Sequence, residues 1–130
     1  MYDWLSPISS SVAAFNFPKD VRMIKKMAKL SDAIISFQEN TLHCPSCDGV
    51  YLHQGRVEVF NRAEDADEGT HVVDTDTVQA DRNLAGNPSN RRQGLKMNFF
   101  CETCHADVWL LIYQHKGNTF VRMEYQDSEN

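Results

Sequence analysis

Every cysteine in this 130-residue chain falls in one of two Cys-x-x-Cys pairs, Cys44-Pro45-Ser46-Cys47 and Cys101-Glu102-Thr103-Cys104. A two-residue spacer lets a tight turn aim two sulfurs at one point. Four soft thiolates converging on one point form the ligand set of a tetrahedral metal, zinc above all. In the first pair Pro45 stiffens the turn, and Gly49 follows where a positive φ is expected. Strand-forming residues lead into both pairs, Thr41-Leu42-His43 into the first and Leu95 to Phe100 into the second.

Three other chemistries use the same residues. Cys101-Glu102-Thr103-Cys104-His105 satisfies the C-x-x-C-H attachment pattern of c-type haem. That attachment needs export, whereas Met1-Tyr2-Asp3-Trp4 carries an acid and no base, with no uninterrupted apolar run behind it. Disulfides are the second rival, and the cytoplasm expected for a chain without an export signal keeps thiols reduced. Thioredoxin-like redox work is the third. It needs its first thiol at a helix N-terminus, and Val50, Tyr51 and Leu52 beyond Cys47 favour a strand. One zinc shared by all four cysteines is the favoured reading. A catalytic zinc keeps a position open for water, and four thiolates close the sphere, so the expected role is structural. His43 and His105 each flank a cysteine and are read as neighbours of the site, since the cysteines already suffice.

Strand, knuckle, strand, twice over, resembles the zinc-ribbon group. The resemblance covers both knuckles and the strands leaving them, and it implies a metal-ligand role for Cys44, Cys47, Cys101 and Cys104. Ribbons usually join their knuckles by a short hairpin, whereas here Asp48 to Phe100 intervene, room for several strands. The stretches Gly55-Arg56-Val57-Glu58-Val59-Phe60, Glu68-Gly69-Thr70-His71-Val72 and Gly86-Asn87-Pro88-Ser89-Asn90-Arg91-Arg92 also resemble small, uncharacterised bacterial and phage-encoded zinc-ribbon proteins. That likeness implies a prokaryotic or mobile-element origin and no particular activity.

The expected fold class is α+β, an N-terminal amphipathic helix followed by a small antiparallel sheet stapled by the zinc. Residues 1–39 would form the arm and helix, and residues 40–130 the ribbon domain. At this length a modest core is expected, and a metal staple helps a small β-rich unit. Hydrophobic content of 42% argues against wholesale disorder. Residues 1–17 read as an irregular but apolar arm around Trp4, Leu5, Ile8, Val12, Phe15 and Phe17. From Pro18 to about Gln38, Met23, Met27, Leu30, Ile34 and Phe37 recur at spacings of four and three. This predicts a helix with a buried stripe and an exposed basic wedge of Arg22, Lys25, Lys26 and Lys29. Val50–His53 and Arg56–Phe60 read as a hairpin turning at Gln54-Gly55, and Thr70–Gln79 as a weakly alternating strand. Val108 to Tyr113 is apolar throughout, as a central strand covered on both faces would be, and Thr119–Tyr125 returns beside it after the turn at His115-Lys116-Gly117-Asn118.

The net charge of −5 makes the whole molecule a poor polyanion binder, yet residues 1–30 carry +3. Two long polar loops stand out: Asn61 to Gly69, with Glu64, Asp65, Asp67 and Glu68, and Arg82–Gly94, with Arg91 and Arg92 among amides. Those arginines suit either phosphate contact or pairing with the acidic loop. The leading expectation is a non-catalytic binding module, a regulator or inhibitor acting through a protein partner. Met23, Met27, Leu30 and Ile34 would supply the contact or a homodimer surface, with Arg91 and Arg92 as further partner residues. The alternative is a nucleic-acid-binding ribbon using the Arg82–Gly94 loop, marked by a basic strip of Arg82, Arg91, Arg92 and Lys96. An enzyme built on His71, Asp74, Asp76 and Arg91 ranks last, because no catalytic residues are recognisable.

Overall fold

A computed structural model describes residues 22–33 and 38–127. Its strands are β1 (Arg22–Lys26), β2 (Leu30–Asp32), β3 (Asn40–Leu42), β4 (Leu52–Asn61), β5 (Thr70–Asp74), β6 (Val78–Asp81), β7 (Gly94–Cys101), β8 (Asp107–His115) and β9 (Asn118–Asp127). Seven of them make one antiparallel sheet in the order β1-β9-β8-β7-β4-β5-β6, and β2 pairs separately with β3. Among the described residues there is no helix, so the α+β expectation is overturned in favour of an all-β architecture. No helix there is long and apolar enough to cross a membrane.

The predicted helix over residues 18–38 is replaced, where it is described, by β1, a short link and β2. Met23, Met27 and Leu30, three of its expected buried stripe, are exposed, while Ile34 and Phe37 fall outside the described residues, as does the arm over 1–17. Helical periodicity is a weak prior, and tertiary pairing overrides it here: Met23 to Lys26 run in register against Gln126 to Met123 of β9. β1 is an edge strand, and the lysines assigned to a helix wedge, Lys25 and Lys26, lie along it. Charge on an edge discourages a further strand from adding.

The centre of the sheet follows the sequence more directly. β8 is a central strand between β7 and β9, as expected, with Val108 and Leu111 buried and the rest of its apolar run half-buried rather than covered on both faces. Its turn into β9 is a two-residue loop in which Lys116 and Gly117 both have positive φ, 52° and 82°, the geometry of a type I′ hairpin. The expected hairpin at Gln54-Gly55 is instead an irregularity inside one strand. β4 runs through, with its register against β7 shifting between Gln54 and Val57. The single strand expected over Thr70–Gln79 breaks into β5 and β6, joined by a turn in which the Thr75 amide donates to the Thr77 carbonyl.

Two clusters anchor the sheet. Near one end Cys44, Cys101, Val108 and Met123 are buried together, and Ala28 and Leu42 pack on them, so the chain following β1 folds over that face. Toward the other end Phe60 is buried, stacked on His71 at 4.3 Å, with the Gly86 backbone close against its ring.

Candidate metal centre

The long insertion does not separate the knuckles. β4 follows the first and β7 leads into the second, and these two strands are antiparallel neighbours with Leu52 opposite Cys101. Both Cys-x-x-Cys turns therefore arrive at the same end of the sheet. β5 and β6 absorb the extra chain by extending the sheet on the far side of β4.

The two knuckles share one backbone design. In the first, the Cys44 amide donates to Gly49 O (2.7 Å) and the Asp48 amide to Cys44 O (2.8 Å). In the second, the Cys101 amide donates to Ala106 O (3.1 Å) and the His105 amide to Cys101 O (2.8 Å). Asp48 and His105 occupy equivalent places and both have positive φ, 69° and 64°. The left-handed residue is thus Asp48, not the expected Gly49. Gly49 is needed for closeness: a Cβ there would come within 3.1 Å of Thr103 Oγ1 and 3.2 Å of Cys47 Sγ.

All four sulfurs lie within 4.8 Å of one another, with Cys44 Sγ to Cys104 Sγ at 3.8 Å and Cys47 Sγ to Cys101 Sγ at 3.6 Å. A tetrahedral ion with bonds of about 2.3 Å requires sulfurs about 3.8 Å apart. The donor set and spacing are compatible with a zinc-binding site. Cys44 and Cys101 are buried, Cys47 and Cys104 exposed. The amides of Ser46 and Gly49 point at Cys44 Sγ and Cys47 Sγ, each at 3.4 Å, and favour thiolate character.

Packing four thiols together perturbs them in opposite directions. Burial pushes Cys44 up to about 12, despite the amides of Cys47 and Ser46. Burial also acts to raise Cys101, but the amides of Cys104 and Thr103 outweigh it and bring that thiol down to about 7. A cluster of this kind cannot become fully thiolate without a cation to offset the mutual repulsion, which is what a metal supplies.

The flanking histidines are occupied elsewhere. His43 Nδ1 faces Asp48 Oδ1 and the Asp48 carbonyl, both at 3.0 Å, and its Nε2 meets Ser31 Oγ at 2.7 Å. Lys29 Nζ reaches the same Asp48 carboxylate at 2.9 Å. The hydrogen bond from Lys29 holds the Asp48 carboxyl below the usual carboxylate range. These contacts tie β2 and the β1–β2 link to the first knuckle, and they escaped sequence reasoning because a helix was expected there. His105 stacks on Phe100, ring centroids 5.6 Å apart.

The loop arginines turn toward the acidic loop. Arg91 makes a two-pronged pair with Asp65 (Nε–Oδ1 2.9 Å, Nη2–Oδ2 2.8 Å) and reaches Glu64, which Arg92 also contacts at 3.3 Å. Arg82 pairs with Glu68, and Lys96 sits 4.9 Å from the Trp109 ring centroid. The four cations of the expected basic strip are thus each committed within the molecule.

His71 does gather carboxylates, but other ones than expected. Its Nε2 meets Glu58 at 2.8 Å and its Nδ1 meets Asp81 at 2.9 Å, linking β4, β5 and β6. Strand alternation carries the signal for this chain, because His71 pairs across with Phe60 and Asp81, and Glu58 points to the same face. Asp74 and Asp76 are exposed and take no part. A cavity of about 620 Å³ opens where β4 shifts register, bordered by Arg56, Asn98, Phe100, Asp107 and Trp109. Comparison with protein-family models, with curated proteins and with solved structures finds no match for this chain.

Proposed function

We propose that this chain is a non-catalytic binding module, a sheet stapled by one structural zinc, that regulates or inhibits a larger system by docking on a protein partner. The observation that carries the reading is how the surface divides. The arginines suited to phosphate contact are neutralised by Glu64 and Asp65, whereas Met23, Met27 and Leu30 remain exposed, Met27 in the cleft beside the first knuckle. Arg91, held in a two-pronged pair with Asp65, must break that pair before it can take a phosphate, and Arg92 and Arg82 each lean on an acid as well, which argues against the Arg82–Gly94 loop as a nucleic-acid surface. Exposed apolar side chains grouped in one stretch of chain suit a protein contact.

The zinc's role in this reading is to hold the two knuckles, and so the strands β4 and β7 and the segment folded over them. Four thiolates leave no position for a reacting water. The test is affinity purification of the tagged, metal-loaded protein from its native host with and without nuclease. Specific protein partners that survive nuclease treatment are expected. Recovery of nucleic acid alone, or loss of every partner on nuclease treatment, would contradict the proposal.

A further inference from the structure

We propose that the cleft between the β1–β2 link and the first knuckle takes an acidic peptide segment carrying an apolar side chain. This rests on the protein-partner reading above and names the chemistry of the partner. Residues 22–29 contain four cations, Arg22, Lys25, Lys26 and Lys29, and no acid, in a chain whose net charge is −5. Within the same stretch Met27 is 85% exposed, and Leu30, just beyond, is 55% exposed. A cleft of about 440 Å³ opens there, with Lys26, Met27 and Lys29 on one wall and Cys44, Pro45 and Ser46 on the other. That volume is within the range that encloses a small ligand or a single large side chain.

Each wall has a function in this arrangement. Met27 is unbranched and polarisable, and adapts its shape to an apolar guest. Lys26 lies 5.8 Å from the Tyr125 ring centroid and, among the described residues, meets no carboxylate. Its charge is available to an incoming acid. Lys29 is already paired with Asp48 at the rim, so Lys26 is the cation that meets the incoming acid. A membrane surface fits less well, because the site is concave. Single-stranded nucleic acid fits less well too, because no aromatic ring lines the cleft for a base to stack on. One wall is the knuckle itself, so the cleft should exist only when the metal is bound.

The probe is a fluorescein-labelled peptide of aspartate pairs separated by single leucines, followed by anisotropy. Controls are the same peptide with lysine for aspartate, phosphatidylserine vesicles, and a single-stranded oligothymidylate. The acidic peptide is expected to bind the metal-loaded protein in a salt-sensitive way and to lose at least about tenfold in affinity in Met27→Ser and in Lys26→Glu. Chelation should abolish binding, and Arg91→Ala should leave it unchanged. Lys26 and Met27 are exposed at the surface, so neither substitution threatens the fold. Equal binding of the basic peptide, binding unaffected by both substitutions, or no binding would overturn the cleft. Vesicles or oligothymidylate binding through Lys26 in place of the peptide would overturn it as well. If the Lys26→Glu protein still purifies with its partners from the host, the cleft assignment fails while the protein-partner reading stands.

Discussion

At one end of the sheet, four thiols converge from two turns that lie far apart in sequence, and they repel one another once ionised. At the other end, the 82–93 loop is held by ordinary hydrogen bonds around one buried hydroxyl. Ser89 Oγ donates to Gln114 O at 2.8 Å and accepts from the amides of Arg91 (3.2 Å) and Arg92 (2.9 Å). Asn87 braces the same turn, accepting from the Ser89 amide and donating to Arg92 O, while Arg62 donates to Ser89 O. The loop end is braced by its own polar groups, whereas the knuckle end presents four thiols in an arrangement compatible with one metal ion. On the proposed reading, order is reached by linkage to a metal at one end and by local hydrogen bonding at the other. The two ends should therefore fail under different insults.

The largest effect is expected from the knuckle. Cys101→Ser removes a ligand in the buried cluster that joins β7 to β8, and structural sites of this kind contribute on the order of 10 kcal/mol to folding. That matches or exceeds the whole stability of a typical domain, so the variant should be unfolded or aggregated by circular dichroism and gel filtration. A soluble, fully folded Cys101→Ser protein would show that the two ends do not differ as described.

At the loop end the effect should be smaller and leave the metal in place. Ser89→Ala strands two amides and a carbonyl, a loss of about 2–4 kcal/mol in urea unfolding, with metal content unchanged. Gly94→Ala tests the same end sterically, because its Cβ would overlap Asn87 Oδ1 and the Pro88 ring. A loss of about 1–3 kcal/mol is expected there.

Acid should separate the ends in order. Thiols bind protons far above the carboxylate range, so metal release monitored with a chromogenic chelator should come first as pH falls. The carboxylates follow. Asp81 is held below its usual value first by the Asn83 amide and then by His71, against burial. A carboxylate with a depressed folded pKa contributes stability that is present above its unfolded value and lost as pH falls through the folded one. The β5–β6 edge should therefore loosen only below about pH 4. Simultaneous loss of metal and edge protection in hydrogen exchange would merge two events that the comparison keeps apart. The smallest effect is expected for Arg91→Ala. Its pair with Asp65 lies in solvent, so the midpoint should move less than for Ser89→Ala, with no change in nucleic-acid binding.

What could be read in the sequence follows the same division. Spacing of ligands is a local signal, so Cys44, Cys47, Cys101 and Cys104 could be named together before their strands were placed. β8 and the Lys116-Gly117 turn were legible for similar reasons, since apolar runs and tight turns announce themselves locally. The 22–33 segment was not legible. Met23, Met27 and Leu30 match a helical repeat by spacing, but the partner that decides their conformation is β9, at the other end of the chain. The β4 irregularity was misread because Gln54-Gly55 carries turn chemistry, and only the register against β7 distinguishes a bulge from a hairpin. The Ser89 network was hidden as well, because its acceptor, Gln114 O, is set by the pairing of β7 with β8.

The most direct test of the account is the metal itself. The purified chain should be measured by inductively coupled plasma mass spectrometry, and its zinc environment by X-ray absorption. One zinc per chain, surrounded by four sulfurs at about 2.3 Å and displaced only with loss of tertiary structure, is the predicted result. A chain that is folded and metal-free, or whose zinc carries nitrogen or oxygen ligands in place of one of the four thiolates, would contradict it.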